Sequence, residues 1–311
     1  MTRHLVQRML WAVFVLWIVM SGVFLLVNVI GDPAVATLGP NAGPEQLRDF
    51  REQHGLTRPL AQRYGDYLWS LVTLDLGRSF QDDREVLELI GTRLPRTMLL
   101  GGVTLTFELT IGLLLGVAAA VRRNSWLDSA VMGFTFLGVS TPTFVSGLLF
   151  LSYFAVRLGW FPVGGYGADA WGHLQHALLP AFTLALAGAS TYARLMRSEL
   201  IEVLGSDYVR TARAKGLSYA RVVLVHGVRN ALLPIITMLG LSLRLLVSGA
   251  IVTEAVFGWP GMGLLAVQAI NGLDLPVVLG IVFVTCSFVQ LGNVLADSCV
   301  AILDPRVRSE H

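Results

Sequence analysis

The chain has 311 residues, of which 54% are hydrophobic and 14% are charged, and its mean hydropathy is +0.64. Soluble domains carry about 25% charged residues, so this composition excludes an ordinary soluble protein and predicts an integral membrane protein. The net charge of +2 says little as a total, because the distribution of Arg and Lys between the loops is what sets orientation.

Six apolar runs are long enough to span a bilayer, which requires about 20 residues each. Arg3 and Arg8 precede the first run, which is longer than a signal-peptide core and lacks a cleavage site, so we expect it to be retained. Basic residues also follow the second and last runs, and this distribution predicts that both termini are cytoplasmic. The runs cover residues 9–30, 98–121, 130–156, 177–193, 231–253 and about 275–303.

The segment 31–97 between the first two runs is predicted to be an extracytoplasmic insert, with eight Arg against ten acidic residues. Pro44 and Gly55 bracket a first short helix, and Pro59 opens a second one. The second helix carries an apolar face, which we expect to pack on the membrane segments or to reach a partner. That face consists of Leu60, Tyr64, Tyr67, Leu68 and Leu71.

Proline and small residues mark the apolar runs. Pro142 and Pro180 are predicted to interrupt the third and fourth runs, while Pro234 and Pro276 lie at the ends of the fifth and sixth. The small residues favour close helix packing, and a pore lining is the alternative. They cluster at Gly112/Gly116, Gly188/Ser190 and Ser248/Gly249/Ala250.

Two charges, Glu108 and Arg244, lie at membrane depth in the second and fifth runs. Counted from the helix ends at 1.5 Å per residue, the two share a similar depth. An unpaired charge at that depth costs about 2.5–3.5 kcal/mol on insertion scales, so we hypothesise a direct or water-bridged ion pair. The alternative is that each charge faces a hydrated pathway separately.

Signs of catalytic or metal chemistry are weak. The sequence lacks GxxxxGK[ST], GxSxG and HExxH motifs, so we predict no catalytic residues and no cofactor. His173 and His176 could share a helix face, with Asp169 as a third ligand, but interfacial histidines are the favoured interpretation over a metal site. Cys286 and Cys299 lie in the last run and are read as buried thiols, not as a disulfide.

The stretch from Arg194 to Pro234 holds seven basic residues against three acidic ones, which predicts a cytoplasmic location. Ser206 and Asp207 are typical of a helix start, and Gly216 of a helix stop. Ser218 can cap a second amphipathic helix that runs towards Asn230. A loop that only reversed the chain would need far fewer residues, so this one is predicted to be held by a cytoplasmic partner.

The sequence DYVRTARAKGLSYARVVLVHGVRNALLP, residues 207–234, resembles the cytoplasmic coupling loop of binding-protein-dependent ABC importer permeases of the dipeptide, oligopeptide and nickel branch. Arg210 and Thr211 stand where a Glu-Ala pair is common in the general importer motif, and Leu233-Pro234 comes several residues later than in that motif. Both departures resemble the peptide and nickel branch. Further similarity lies in residues 31–47, in LGRS and RLPRT of the insert, in FGWPGMG (257–263) and in LDPRVR (303–308), so it covers essentially the whole chain.

The resemblance implies an all-α permease of the type I importer fold, with six transmembrane helices and an extracytoplasmic insert. The regions are 1–30, 31–97, a core at 98–303 that includes the coupling loop 194–230, and a tail at 304–311. In that family the loop docks into the ATPase subunit. Carried onto this chain, the docking residues are Asp207, Tyr208, Arg210, Thr211, Ala212, Arg213, Ala214, Lys215, Gly216, Leu217 and Ser218.

The implied partners are a second, related permease, two ATP-binding subunits, an extracytoplasmic solute-binding protein and membrane lipid, with no nucleic acid. The implied location is the inner membrane, and the implied substrate is a di- or oligopeptide, with nickel or another small solute as the alternative. A different class, a stand-alone secondary transporter or channel, would need intramembrane charge relays, for which only Glu108, Arg244 and Asp297 are available.

Overall fold

The computed structural model describes the backbone of residues 2–30, 33–39, 41–243 and 251–303, and helices joined by short loops make up this part of the chain. Two helices continue as π-helical segments, at Leu151–Arg157 and Val222–Val228. The helices are α1 Thr2–Ile30, α2 Pro33–Leu38, α3 Pro44–Gln53, α4 Leu60–Thr73, α5 Val86–Val121, α6 Trp126–Ser140, α7 Thr143–Phe150, α8 Ala170–Gly205, α9 Asp207–Ala214, α10 Tyr219–Arg221, α11 Arg229–Leu243, α12 Ile251–Val256, α13 Met262–Asn271 and α14 Leu275–Leu303.

The chain forms two compact units. The first contains residues 1–97 and 260–294, and the second contains residues 98–259 and 295–311. The limit between Thr97 and Met98 coincides with the predicted end of the insert, although α5 runs through it as one helix. Residues 260–294 group with the insert, because side chains of α13 and α14 share one apolar core with the start of α5.

The core of the first unit is built from Val86, Leu89 and Ile90 on one side and from Met262, Leu265, Val277 and Ile281 on the other. Hydrogen bonds to a buried carboxylate form a polar tie next to this core. The buried carboxylate of Asp274 accepts hydrogen bonds from the Ser79 hydroxyl and, at 3.1 Å, from the backbone N–H of Phe80. Because a buried carboxylate must be satisfied by donors, this tie fixes the loop before α5 to the start of α14.

The two insert helices form where the proline pattern predicts them. Pro44 occupies the first turn of α3, and Gly55, at φ +63°, follows its end. Pro59 precedes α4 directly. The predicted apolar face of α4 packs in part on α1: the rings of Tyr64 and Tyr67 lie 5.4 and 5.1 Å from the Phe24 ring centroid.

In the second unit, α8 is the most buried helix, and α5 packs closely against it. A Cβ at Gly112 would lie 2.7 Å from the Tyr192 Cβ, and one at Gly116 would lie 2.7 Å from the Ala193 carbonyl oxygen. The predicted packing role of these two glycines is therefore confirmed. Ser248, Gly249 and Ala250 lie outside the described residues.

Four helices of the described chain are long and apolar enough to cross a membrane: Gln7–Leu26, Val86–Val121, Tyr219–Leu239 and Leu275–Val294. Helices α6 and α7 with its π-helical extension are apolar enough together but meet at 104°, and counting this pair as one span gives five. Pro142 lies at the bend, as predicted, because it ends one helix and precedes the next. The fourth predicted run lies within α8, which is not among the helices that are long and apolar enough to span a membrane by this criterion. The count of six spans therefore stays a prediction.

Two prolines do not break helices where the sequence pattern predicted an interruption or an end. Pro180 is buried inside the continuous helix α8, and Pro234 lies within α11, not at a helix end. Tertiary packing can hold a helix through a proline when neighbouring groups satisfy the freed carbonyl. The second helix of the coupling loop, which is predicted to run towards Asn230, continues past that residue through α11.

Candidate functional site: the cytoplasmic coupling loop

The coupling loop contains one short separate helix, α9, between the end of α8 and the start of α10. Asp207 lies in its first turn and Arg213 in its last, which places each charge at the end of the helix dipole that stabilises it. Gly216 closes the turn at φ +79°, and its N–H donates to the Arg213 carbonyl at 2.9 Å. A residue without Cβ suits this left-handed conformation.

The capping prediction was wrong in its detail. Ser206 does hold the N-cap position of α9, but its hydroxyl donates to the Val203 carbonyl at 2.6 Å and makes no capping bond to α9. Ser218 precedes α10 in the same way, again without a side-chain cap. In both cases the extended backbone of the serine, and not its side chain, separates the two helices.

Most of α9 faces outward. Val209 and Ala212, spaced three residues apart, are the buried residues of this helix and fasten it to the protein. Of the remaining docking candidates, Leu217 is partly buried and the others are exposed. The exposed set is Asp207, Tyr208, Arg210, Thr211, Arg213, Ala214, Lys215, Gly216 and Ser218. The helix therefore presents a mixed basic and polar surface, while two buried residues hold it against the protein.

Two side-chain contacts fix α9 relative to the helix that follows. The Asn230 amide donates to the Tyr208 hydroxyl at 2.8 Å. The Arg213 guanidinium carbon lies over the Tyr219 ring, 5.7 Å from the ring centroid. Gly227 allows the next segment to approach α8, since a Cβ there would lie 2.8 Å from Leu200 Cδ1. A force applied to α9 would thus be passed to both α8 and α11.

An ion pair that the sequence analysis missed joins α6 to the same end of α8. Arg197 donates to Asp128 through Nε at 2.6 Å and through a terminal nitrogen at 2.7 Å. The backbone N–H of Asn124 also donates to Asp128, at 2.9 Å. The Asp128 side chain is 6% exposed, so this is a bidentate pair held largely away from water. Ser125 caps α6 by accepting a hydrogen bond from the Asp128 N–H, but no local sequence pattern indicates the pairing of Asp128 with Arg197.

Only one of the two residues of the hypothesised intramembrane ion pair, Glu108, lies among the residues that the structure describes. A Cβ at Gly188 would overlap the Glu108 carboxyl group, so this carboxyl lies directly against the α8 backbone. Nearby, the hydroxyls of Tyr192 and Ser242 are 2.8 Å apart and link α8 to α11. No ion pair to Glu108 occurs among the residues that the structure describes, and Arg244 lies outside them.

The histidines near the start of α8 have local partners. The His173 ring stacks on Tyr166 at 3.9 Å, and its Nδ1 lies 2.9 Å from the Tyr166 carbonyl. His176 Nδ1 lies 2.7 Å from the Gly172 carbonyl. Asp169 caps α8 by accepting from the Gly172 N–H at 2.7 Å. Within the described residues, no group of three His, Cys, Asp or Glu side chains could hold a metal ion.

The sequence matches two family models that together span nearly all of it. Residues 1–101 match the N-terminal model of binding-protein-dependent transport system membrane components. Residues 112–309 match the binding-protein-dependent transport system inner membrane component. The chain therefore belongs to the family of inner-membrane permease components of binding-protein-dependent ABC importers, as the coupling-loop resemblance predicted.

Curated relatives match over the full length. A putative peptide transport system permease protein of Brucella abortus is 42% identical over 313 residues, covering 99% of each chain. The glutathione transport system permease protein GsiC of Salmonella choleraesuis is 40% identical over 309 residues, again covering 99% of each. Among solved structures, the inward-facing MetNI methionine ABC transporter matches 70% of this chain and 97% of its own, with a TM-score of 0.56 and 19% identity.

Membership in this family establishes the class of the protein. It is a multi-pass inner-membrane permease subunit, and ATP hydrolysis belongs to a separate subunit. The all-α fold of an importer permease is confirmed by the helical structure and by the likeness to MetNI. An ATPase and a solute-binding protein are the partners that the family implies.

Proposed function

We propose that this chain is one of the two permease subunits of a peptide importer, and that residues 207–218 form the contact through which the ATPase drives it. The observation that carries the proposal is the outward face of α9 and of the turn after it, which together leave nine docking candidates exposed, while Val209 and Ala212 are buried. A short helix that buries only two of its residues presents most of its charged and polar groups to a partner subunit.

The substrate is a di- or oligopeptide. This rests on the curated relatives, which are named for peptide transport and for the transport of glutathione, itself a small peptide. Nickel or another small solute is the alternative. A second, related permease subunit completes the pathway, two ATPase subunits hold the coupling loops, and the extracytoplasmic solute-binding protein delivers the peptide.

The membrane topology is six spans with both termini in the cytoplasm. Helix α8 supplies the span that composition alone does not reveal, because its many buried residues contact protein instead of lipid and so need not be strongly apolar. Coupling then works by rigid-body alternation. Closure of the ATPase moves α9, and the Asp128–Arg197 pair and the Tyr208–Asn230 bond pass that movement to α6, α8 and α11.

Gly216→Val tests the docking contact. A β-branched residue at φ +79° is strained by about 1–2 kcal/mol, so the turn after α9 should shift while membrane insertion stays intact. We expect the variant to co-purify with less of its ATPase and to support less peptide uptake in proteoliposomes that hold the whole importer.

Gly216→Asn is the matched control, because Asn tolerates the left-handed conformation. It should retain ATPase binding and uptake. No atom lies within 4 Å of a Cβ at this position, so neither variant creates a clash within the subunit. Undiminished ATPase binding and transport by Gly216→Val would refute the proposed docking role.

A further inference from the structure

The first unit contains a cavity of about 530 Å³ at the edge of its apolar helices. Its apolar wall includes Phe24, Leu71, Leu76 and Leu279, and its polar rim includes Arg58, Arg63 and Arg78. Cavities of this size and composition are typical of small-molecule sites. None of the residues assigned to coupling, and neither Glu108 nor Arg244, lies in its wall.

The position of the cavity is set by two helices that enter the membrane. Phe24 lies near the end of the apolar window Gln7–Leu26 of α1, and Leu279 lies near the start of the window Leu275–Val294 of α14. The cavity is thus at the level where an apolar belt gives way to polar surroundings. Helix α4, which forms one wall, exposes Trp69 and Val72 by 70% and 77%, as interfacial helices do.

The charges around the cavity are not balanced. Arg58 pairs with Asp66 at 3.3 Å, and Arg78 pairs with Asp83 at 3.4 Å. Arg63 is half-buried, and among the residues that the structure describes no carboxylate or carbonyl accepts a hydrogen bond from it. Partial burial lowers the pKa of the Arg63 guanidinium, with no neighbouring anion to offset the loss of water.

A second group in the cavity wall also lacks a partner. The hydroxyl of Tyr67, one helical turn after Arg63 on α4, is buried, and no hydrogen bond to it exists within the described part of the chain. A buried hydroxyl without a partner costs about as much as a lost hydrogen bond. Among the described residues, Arg63 is thus the donor without an acceptor at the cavity, and the Tyr67 hydroxyl is a buried donor without an acceptor on the same helix.

We propose that this cavity binds an acidic phospholipid of the adjacent leaflet. The phosphate pairs with Arg63, and the apolar chain packs along Phe24, Leu71 and Leu279. A lipid fits better than a free anion, because most of the wall is apolar and two of its residues, Phe24 and Leu279, belong to helices apolar enough to span a membrane. The bound lipid would fasten α4, and with it the extracytoplasmic insert, to α1 and α14.

The test measures the thermal stabilisation of the purified full-length chain by added lipid. Phosphatidylglycerol should raise the melting temperature, whereas phosphatidylcholine, whose ammonium group offsets its phosphate, should do so much less. Arg63→Gln should weaken the apparent affinity for phosphatidylglycerol about tenfold, since it removes a charge-assisted contact. Arg63→Lys should retain most of the affinity.

Controls separate binding from folding. Arg48→Gln removes an exposed guanidinium that pairs with Glu52 outside the cavity, and it should leave lipid affinity unchanged. Tyr67→Phe should leave the affinity for phosphatidylglycerol unchanged and the lipid-free melting temperature equal or higher, because it deletes a hydroxyl that has no partner within the described residues and is not accessible from the cavity.

Three outcomes would overturn the proposal. One is equal stabilisation of the wild type and Arg63→Gln by phosphatidylglycerol. Another is full stabilisation by inorganic phosphate alone, which would identify a soluble anion as the ligand. The third is loss of solute-binding-protein association by Arg63→Gln with lipid affinity intact, which would make the cavity a protein contact.

Discussion

At the scale of single residues, glycines decide how closely α5 and α8 approach. Gly112 and Gly116 lie one turn apart on α5 and meet the backbone of α8 around Ala189 and Ala193. Lipid chains are as apolar as the helices, so close van der Waals contact is a main source of association here. A single methyl group at either position would separate the two backbones.

Gly116→Ala should lower the stability of the protein by about 1–3 kcal/mol, because the new Cβ would meet the Ala193 carbonyl at 2.7 Å. Gly102→Ala on the same helix is the matched control, since nothing lies within 4 Å of a Cβ there. Thermal unfolding in detergent distinguishes the two. Similar melting temperatures for both variants would contradict the packing role of Gly116.

The charge-pair hypothesis also belongs to this scale. Glu108 lies against Gly188, and the Tyr192–Ser242 contact brings the helix that leads to Arg244 into the same neighbourhood. Glu108→Gln and Arg244→Gln should each destabilise the protein, because each leaves one charge unpaired at depth. The double variant should lose less stability than the two single variants lose when their losses are added. A double-mutant cycle on thermal stability decides the question, and strict additivity would remove the pair.

At the scale of elements, the Asp128–Arg197 pair links the start of α6 to the C-terminal extension of α8. That extension leads directly into α9, so the pair lies between the coupling helix and the rest of the bundle. Both carboxylate oxygens are used, and the Asn124 N–H and the N-terminus of α6 add to the stabilisation of the negative charge.

Arg197→Gln should destabilise the protein by about 3 kcal/mol, since it leaves the buried Asp128 carboxylate without its cation. Asp128→Asn should do less harm, because Arg197 is more exposed and can recover water. Arg84→Gln is the comparison: its exposed pair with Glu88 should contribute no more than about 0.5 kcal/mol. Equal losses for Arg197→Gln and Arg84→Gln in thermal unfolding would show that the pair does not bind α6 to α8.

At the scale of the whole molecule, the described part of the chain holds several helices apolar enough to span a membrane and a short helix, α9, that we propose is the cytoplasmic contact for the ATPase. The family places ATP hydrolysis in another subunit. The free energy of ATP hydrolysis must therefore reach this chain through a contact with the ATPase subunit, and we propose that the exposed face of α9 forms that contact. A stand-alone transporter would instead need an internal ion pathway.

The purified chain alone should hydrolyse no ATP and should carry no peptide across a liposome membrane. Adding the ATPase, the second permease and the solute-binding protein should restore both activities together. Radiolabelled peptide uptake with and without an ion gradient provides the measurement. Uptake by the chain alone under an ion gradient would favour a secondary transporter and contradict the proposed function.

Local sequence patterns determined much of this protein. Apolar runs identified α1, α5 and α14, prolines set the starts of the insert helices, and the order of residues 207–234 carried the family resemblance. These features depend on neighbours within one or two helical turns, so a single sequence is enough to reveal them. Gly216 is such a case, because its positive φ follows from its place after a short basic helix.

Contacts between distant residues were decided by the tertiary structure. Asp128 and Arg197 are 69 positions apart, and Ser79 and Asp274 are 195 apart, so no local pattern pairs them. The same holds for α8, whose burial lets it be less apolar than a lipid-facing span and carry Pro180 without a break. The periodicity of apolar residues indicates which face of one helix is buried, whereas packing depends on the side chains that the neighbouring helices place against that face.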